Sequence, residues 1–105
     1  MTHEHPELTS LAQAYFHQDW YEVSGDTWQA VVDHYCRDAN THERTELIAE
    51  IDDVLGRFVG RDSELRALLH RPIDLNYVLT DETARPWLIA VRDRVAATIA
   101  DEPAP

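Results

Sequence analysis

Apolar residues recur three and four positions apart through most of this 105-residue chain, and no segment alternates convincingly between apolar and polar residues. Spacing of three and four places apolar side chains on one face of an α-helix, whereas alternation would have indicated half-buried strands. Turn-forming and capping residues separate the apolar segments. The pattern therefore predicts an all-α fold, a compact bundle of about five helices, in a single domain over residues 1–105.

The inward faces of the predicted helices follow from this spacing. The polar ends of the chain, residues 1–6 and 101–105, are expected to be loose. In chain order the inward positions are Leu8, Leu11, Ala12, Tyr15 and Phe16; Trp28, Val31, Val32, Tyr35 and Cys36; Leu47, Ile48, Ile51, Val54, Leu55 and Phe58; Leu65, Leu68 and Leu69; and Leu88, Val91, Val95 and either Ile99 or Thr98.

Helix boundaries are predicted from proline, glycine and capping residues. The first helix should begin at Pro6, where the missing amide costs nothing, and end near Trp20. Thr41 is expected to cap the third helix; because Arg44 then occupies the third position, no full capping box is expected. Gly60 is expected to end that helix.

The charge is strongly negative and unevenly distributed. Twenty Asp and Glu face nine Arg and no Lys, which gives a net charge of -11. Residues 1–53 carry -10 of it and residues 54–105 only -1. Such a field repels nucleic acid and anionic membranes and speeds the encounter with a basic protein. We therefore expect a protein partner, with neither nucleic acid nor a membrane; solubility alone is the other interpretation of this charge.

Targeting signals are not evident. The first residues lack the apolar segment of a secretory signal, and no apolar run approaches the roughly 18 residues that a membrane span needs. The single cysteine, Cys36, excludes a disulfide framework within the chain. These features predict a cytoplasmic protein.

Patterns that would support catalysis are weak. The His-Glu-His run at 3–5 lies on the expected loose leader. His34 and Asp38 are four residues apart, and His17 and Asp19 precede them, but no zinc-protease, nucleophile-elbow or phosphate-loop motif occurs. We predict no catalytic residues, metal or cofactor, and no enzymatic activity. A small metal-dependent or acid–base enzyme built on His17 and His34 remains an alternative hypothesis.

Aromatic and acidic residues are concentrated at the end of the first predicted helix and the following turn. The rings of Tyr15, Phe16, Trp20 and Trp28 are interpreted as core. Exposed tyrosine beside carboxylates suits a basic partner. Acids also recur along the third predicted helix, where a solvated face is the simpler interpretation. The predicted partner-binding residues are Asp19, Tyr21, Glu22, Asp26, Asp33, Glu43, Glu46, Glu50 and Asp53.

The run Leu-Ala-Gln-Ala-Tyr-Phe-His-Gln-Asp-Trp at 11–20, followed by Thr-Trp-Gln-Ala-Val-Val-Asp at 27–33, resembles the beginning of the bacterial contact-dependent growth inhibition immunity proteins of the CdiI type. The resemblance extends over residues 8–97, and Tyr-Phe-His-Gln-Asp-Trp at 15–20 is its most specific part. It implies an all-helical protein that binds and silences the toxic C-terminal domain of a polymorphic toxin, and many such toxins are nucleases.

The resemblance and the charge together suggest a mode of inhibition. A nuclease presents cations to phosphate, so carboxylates on an inhibitor can occlude its basic active site. We expect the cognate toxin domain to be such a basic nuclease. An acidic helical adaptor or regulatory domain with another protein partner is the alternative hypothesis.

Overall fold

A computed structural model of the chain describes residues 5–16, 27–70, 73 and 79–100. These residues contain five α-helices and no strand, so the predicted all-α bundle is confirmed. No helix among them is both long and apolar enough to cross a lipid bilayer. The helices are α1 (Pro6–Ser10), which continues into a π-helical turn (Leu11–Tyr15), α2 (Trp28–Asp38), α3 (Thr41–Arg57), α4 (Asp62–His70) and α5 (Ala84–Ala100).

The two longest helices, α3 and α5, pack antiparallel at the centre of the bundle. At the start of α5, the Arg85 guanidinium donates to the carbonyl oxygens of Leu55, at 3.1 Å, and Phe58, near the end of α3. At the other end, Arg44 Nη1 donates to Thr98 Oγ1 at 3.2 Å. The start of α3 therefore lies beside the end of α5.

Every helix contributes to one apolar core, mostly through the positions that helical spacing predicts. Trp87 was not among the predicted core positions, but it is buried. Its ring stands edge-on to the rings of Phe16 and Trp28, at centroid distances of 5.6 and 6.1 Å. Such aromatic pairs add about 0.5–1.5 kcal/mol beyond the burial itself. The buried apolar side chains are Leu8, Leu11, Ala12, Phe16, Val31, Val32, Tyr35, Cys36, Leu47, Ile51, Val54, Leu55, Leu65, Leu69, Ile73, Ala84, Trp87, Leu88, Val91 and Val95.

A capping box begins α3 at Asn40, so the prediction of Thr41 as the cap, with no capping box, is wrong. Asn40 Oδ1 accepts from the Glu43 amide at 2.8 Å, and Glu43 Oε1 accepts from the Asn40 amide at 2.9 Å. Asn40 is extended, with φ -81° and ψ 173°, which makes Thr41 the first helical residue. Gly60 follows the helix with φ 74°, a left-handed conformation that glycine adopts without strain.

The first helix is shorter and less regular than predicted. After Ser10 the α-helical pattern changes to the π turn, in which the Phe16 amide donates to the Leu11 carbonyl at 3.1 Å. Phe16 leaves the helical conformation, with φ -96° and ψ 48°. The helix therefore ends at Tyr15; the predicted end near Trp20 falls outside the described residues.

A carboxylate from α3 fastens the start of α1. The residue before α1, His5, makes no capping hydrogen bond with its side chain. Instead the Glu7 and Leu8 amides donate to the two carboxylate oxygens of Glu50, at 3.1 and 2.9 Å. A negative charge at a helix N-terminus meets both free amides and the positive end of the helix dipole. Glu50 therefore acts as the N-terminal cap of α1, although the two lie far apart in the sequence.

His5 reinforces this attachment. Its Nε2 lies 3.0 Å from Asp53 Oδ2, and its side chain is only 6% exposed. His5, which falls in the leader that the sequence suggests is loose, is therefore held against α3. Residues 1–4 lie outside the part of the chain that the structure describes.

Candidate partner-binding surface

The π turn brings Tyr15 beside the C-terminal end of α2. Tyr15 Oη donates to Asp38 Oδ2 at 2.9 Å, and His34 Nε2 lies 3.4 Å from the same oxygen. The Tyr15 ring stands edge-on to the rings of His34 and Tyr35, at centroid distances of 5.3 and 5.5 Å. Tyr15 was predicted to belong to the core; its ring packs against the core, but the hydroxyl reaches an exposed carboxylate.

Tyr35 connects this cluster to α1 and α3. The ring is buried, and Oη donates to Glu7 Oε1 at 3.1 Å and approaches the Glu43 carbonyl oxygen at 3.4 Å. Three helices thus hold the phenols and carboxylates in fixed positions. We call this group the tyrosine–carboxylate surface; it consists of Glu7, Tyr15, His34, Tyr35, Asp38 and Glu43.

The environment of the two phenols keeps them protonated. Burial, together with the hydrogen bond and charge of Asp38, raises the pKa of Tyr15 to about 12. Burial and the nearby Glu7 carboxylate also raise the pKa of Tyr35. The charge of Glu43 raises the pKa of both. Near neutral pH both phenols therefore remain hydrogen-bond donors among negative charges.

Arginine side chains neutralise carboxylates elsewhere on the protein but not on this surface. In the described part of the chain, Glu7, Asp38 and Glu43 form no ion pair with arginine, so the surface keeps its negative charge. The carboxylate–arginine pairs found elsewhere are Asp33–Arg94, Asp52–Arg92, Asp53–Arg57, Asp62–Arg85, Glu64–Arg61, Asp81–Arg66 and Asp93–Arg92.

Two acids predicted to bind a partner are engaged within the protein. Both oxygens of Asp33 accept from the Arg94 guanidinium, at 2.8 and 2.7 Å, and this hydrogen bonding lowers the pKa of Asp33. Asp53 Oδ2 lies 3.0 Å from His5 and 3.1 Å from Arg57, and the hydrogen bond to His5 lowers the pKa of Asp53. Their charges are largely compensated inside the molecule.

The acids along α3 do not form one continuous exposed stripe. Glu46 is exposed and makes no ion pair with the described residues, whereas Glu43 is half-buried in the capping box. Glu50 is 9% exposed, and burial raises its pKa even though the Leu8 and Glu7 amides lower it. The other four predicted partner-binding residues lie outside the described residues: Asp19, Tyr21, Glu22 and Asp26.

Sequence reasoning left Glu7, Tyr15 and Asp38 out of the predicted binding set. Asp38 stands four residues after His34, a spacing that indicates one helix face, and that signal was assigned to metal or acid–base chemistry instead. Tyr15 belongs to an apolar stripe and was assigned to the core. The meeting of these side chains depends on tertiary packing, which local spacing does not report.

His34 and Asp38 also carried the alternative hypothesis of a metal site. Within the described ranges, no group of three or more His, Cys, Asp or Glu side chains is arranged to hold a metal ion. His17 and Asp19, the other residues of that hypothesis, lie outside those ranges.

Comparison with known proteins gives a family. No protein with a curated description matches this chain. A chain in the "Crystal structure of CdiA-CT/CdiI complex" from Y. kristensenii is similar to 89% of this protein and 99% of its own length, with 26% sequence identity and a TM-score of 0.80. The family model described as CdiI immunity protein matches residues 4–95. Because that match covers most of this chain, the chain belongs to the CdiI immunity protein family.

Proposed function

We propose that this protein binds the toxic C-terminal domain of a contact-dependent growth inhibition toxin and neutralises it by covering a basic active site. Family membership supports immunity to such a toxin, and the similar solved structure is named as a complex of CdiA-CT with CdiI. The toxin domain is a nuclease in this proposal, because an enzyme that acts on phosphate backbones presents cations that carboxylates can meet. The protein works in the cytoplasm as a stoichiometric inhibitor, without catalysis or a cofactor.

The observation that carries the proposal is the uncompensated charge of the tyrosine–carboxylate surface. Elsewhere six of the described arginines pair with acids, but Asp38 of this surface is exposed without an arginine partner, and so is Glu46 on α3. Two cationic side chains of a toxin would find acceptors here that no internal arginine already occupies. Tyr15 adds a ring held by its neighbours, and rigid tyrosines are common among residues that dominate binding energy.

The proposed contact set combines this surface with the acids predicted from sequence. Glu50 is left out because it is only 9% exposed and both of its oxygens hold α1, whereas Asp33 and Asp53 stay partly exposed beside their internal partners. The set comprises Glu7, Tyr15, His34, Asp38, Glu46 and Glu43, together with Asp19, Tyr21, Glu22, Asp26, Asp33 and Asp53.

Electrostatic complementarity would act mainly on the rate and selectivity of association. Opposite fields raise association rate constants to about 10⁸–10⁹ M⁻¹s⁻¹ at low salt, against about 10⁵–10⁶ without steering. An inhibitor that must capture a toxin soon after entry benefits from that speed. Association with the toxin should therefore slow steeply as salt is added.

The test is co-expression with the C-terminal domain of the cognate contact-dependent growth inhibition toxin, followed by a growth assay and purification. Rescue of growth with a one-to-one complex supports the proposal; no rescue and no complex contradict it. A double charge reversal, Asp38→Lys with Glu46→Lys, should then weaken binding about a hundredfold or more, because like charges brought together cost several kcal/mol.

The matched control is a second double variant, Asp81→Lys with Glu82→Lys, which changes the net charge by the same amount. These exposed acids precede α5, at the end of the α3–α5 pair opposite to Glu43. The control should lose much less affinity than the Asp38 and Glu46 variant. Equal losses would show that only the net charge matters and would contradict the assigned surface.

A further inference from the structure

Neighbouring helices hold Glu7 from two sides. Its backbone amide donates to Glu50 Oε2 at 3.1 Å, which fixes this part of α1 against α3. Its side-chain Oε1 accepts from the Tyr35 hydroxyl at 3.1 Å, which ties the carboxylate to α2. The other side-chain oxygen, Oε2, accepts no hydrogen bond within the described part of the chain. Glu7 therefore keeps one oxygen for a partner, in a geometry that α2 and α3 determine together.

This arrangement brings two carboxylates of like charge close to each other. The Glu7 charge is among the influences that raise the pKa of Glu50, so the two ionised carboxylates repel each other. Without a hydrogen-bond donor, this repulsion would turn the half-buried Glu7 side chain away from Glu50 and into solvent. The Tyr35 hydroxyl supplies that donor and opposes the repulsion.

A phenol suits this role because it orders a carboxylate without neutralising it. An arginine would also hold the Glu7 carboxylate, but it would cancel the charge that attracts a basic protein. Burial and the Glu7 charge raise the pKa of Tyr35, so the hydroxyl keeps its proton near neutral pH. Tyr35 is only 3% exposed, so a bound toxin domain has almost no access to it. Any effect of this hydroxyl on binding must therefore act through the groups that it contacts.

We propose that Tyr35 is a positioning residue of the tyrosine–carboxylate surface: its hydroxyl holds the Glu7 carboxylate in the geometry in which Glu7 contacts the basic toxin domain. This inference rests on the proposed function. A long side chain that is already ordered loses less conformational freedom on binding, so the fixed geometry raises affinity. Because the hydroxyl carries no net charge, it acts on the lifetime of the complex and not on long-range attraction.

The test is the affinity of the cognate toxin domain for Tyr35→Phe. This substitution removes the hydroxyl but keeps the buried ring and the net charge of -11. We expect binding to weaken about three- to tenfold, because Glu7 must then be ordered during binding. Dissociation should become faster, while the association rate constant and its dependence on salt stay the same. A Tyr35→Phe variant that binds as tightly as the unmodified protein overturns the inference.

Gly60→Ala is the control for a loss of stability. It strains the turn after α3, at the opposite end of that helix from Glu43, and leaves the net charge unchanged. Urea unfolding of each free variant measures the stability that it has lost. The control should bind the toxin domain within about twofold of the unmodified protein. If it loses as much affinity as Tyr35→Phe, general destabilisation explains the result and the inference is overturned.

A double-mutant cycle with Glu7→Ala separates positioning from a merely structural role. Glu7→Ala alone should weaken binding, because it removes the contacting carboxylate. Adding Tyr35→Phe to that variant should then change the affinity by less than about twofold, because the hydroxyl has no carboxylate left to position. Equal losses from Tyr35→Phe in the two backgrounds, or full affinity in Glu7→Ala, overturn the inference. Failure of the unmodified protein to bind the toxin domain overturns the proposed function itself.

Discussion

Replacing Glu50 by glutamine should loosen α1 from α3 and lower the stability of the whole protein. The two Glu50 oxygens accept from the Leu8 amide at 2.9 Å and the Glu7 amide at 3.1 Å. Glutamine keeps one acceptor oxygen, but its amide nitrogen cannot accept a hydrogen bond. One N–H of α1 therefore loses its partner, and an unsatisfied buried donor costs about 1–3 kcal/mol.

Burying the charged Glu50 carboxylate costs free energy, which opposes the gain from its hydrogen bonds. Burial raises its pKa above the ordinary value of 4.5, so the native protein holds this proton more tightly than the unfolded chain does. The contribution of this group to stability is therefore greatest below pH 4.5 and falls as the pH rises through the raised pKa. Glutamine does not ionise, so the Glu50→Gln variant does not lose this stability as the pH rises. We expect a net cost of about 1–2 kcal/mol at pH 7, and a larger cost at lower pH.

Urea unfolding followed by circular dichroism measures this cost directly. Glu46→Gln is the matched control, because Glu46 is exposed on the same helix and should change stability by less than about 0.5 kcal/mol. In Glu50→Gln the Glu7 and Leu8 amides should also exchange hydrogen faster. If Glu50→Gln is as stable as Glu46→Gln at pH 7, the cost of burying the carboxylate exceeds the value of its hydrogen bonds, and the assigned capping role is wrong.

Three further predictions concern the cap, the turn and the acidic surface. Asn40→Ala should lose about 1 kcal/mol of unfolding free energy, because the capping box of α3 disappears; an unchanged urea midpoint would contradict this. Gly60→Ala should lose about 1–2 kcal/mol, because alanine is strained at φ 74°; equal thermal stability would show that the turn relaxes freely. Ultraviolet titration should find the Tyr15 pKa near 12, and Asp38→Asn should lower it, because the Asp38 hydrogen bond and charge help to raise it; an unchanged titration would remove Asp38 as a cause.

Helical spacing predicted the architecture because most of the core is built from local repeats. Val31, Leu47 and Val91 are buried as their positions in the apolar stripes require. The start of α3 was misplaced by one residue, although Glu43 three positions after Asn40 gives the spacing of a capping box, whereas Thr41 has Arg44 at that spacing. Spacing predicts which face is inward better than it predicts where a helix begins.

The candidate surface was harder to predict because it depends on contacts between distant residues. Glu50 belongs to an acidic repeat with Glu46 and Asp53, yet it is buried because the N-terminus of α1 lies against it. Likewise, the position of Asp33 on α2 predicts an exposed carboxylate, but in the fold Arg94 of α5 lies beside it and donates to it. A repeat of acidic residues identifies a helix face, but it does not show which of those acids already have a hydrogen-bond or ion-pair partner inside the protein.

The π turn determines the direction in which the Tyr15 ring faces. A π turn holds about one residue more than an α-helical turn, and each residue of an α-helix rotates the next by about 100°. If α1 continued as a regular helix with the same number of residues, the Tyr15 ring would turn by about 100° away from Asp38, while Leu8 kept its place in the core. The extra residue held by the π turn thus keeps Tyr15 on the side of Asp38 without moving the core residues that precede it.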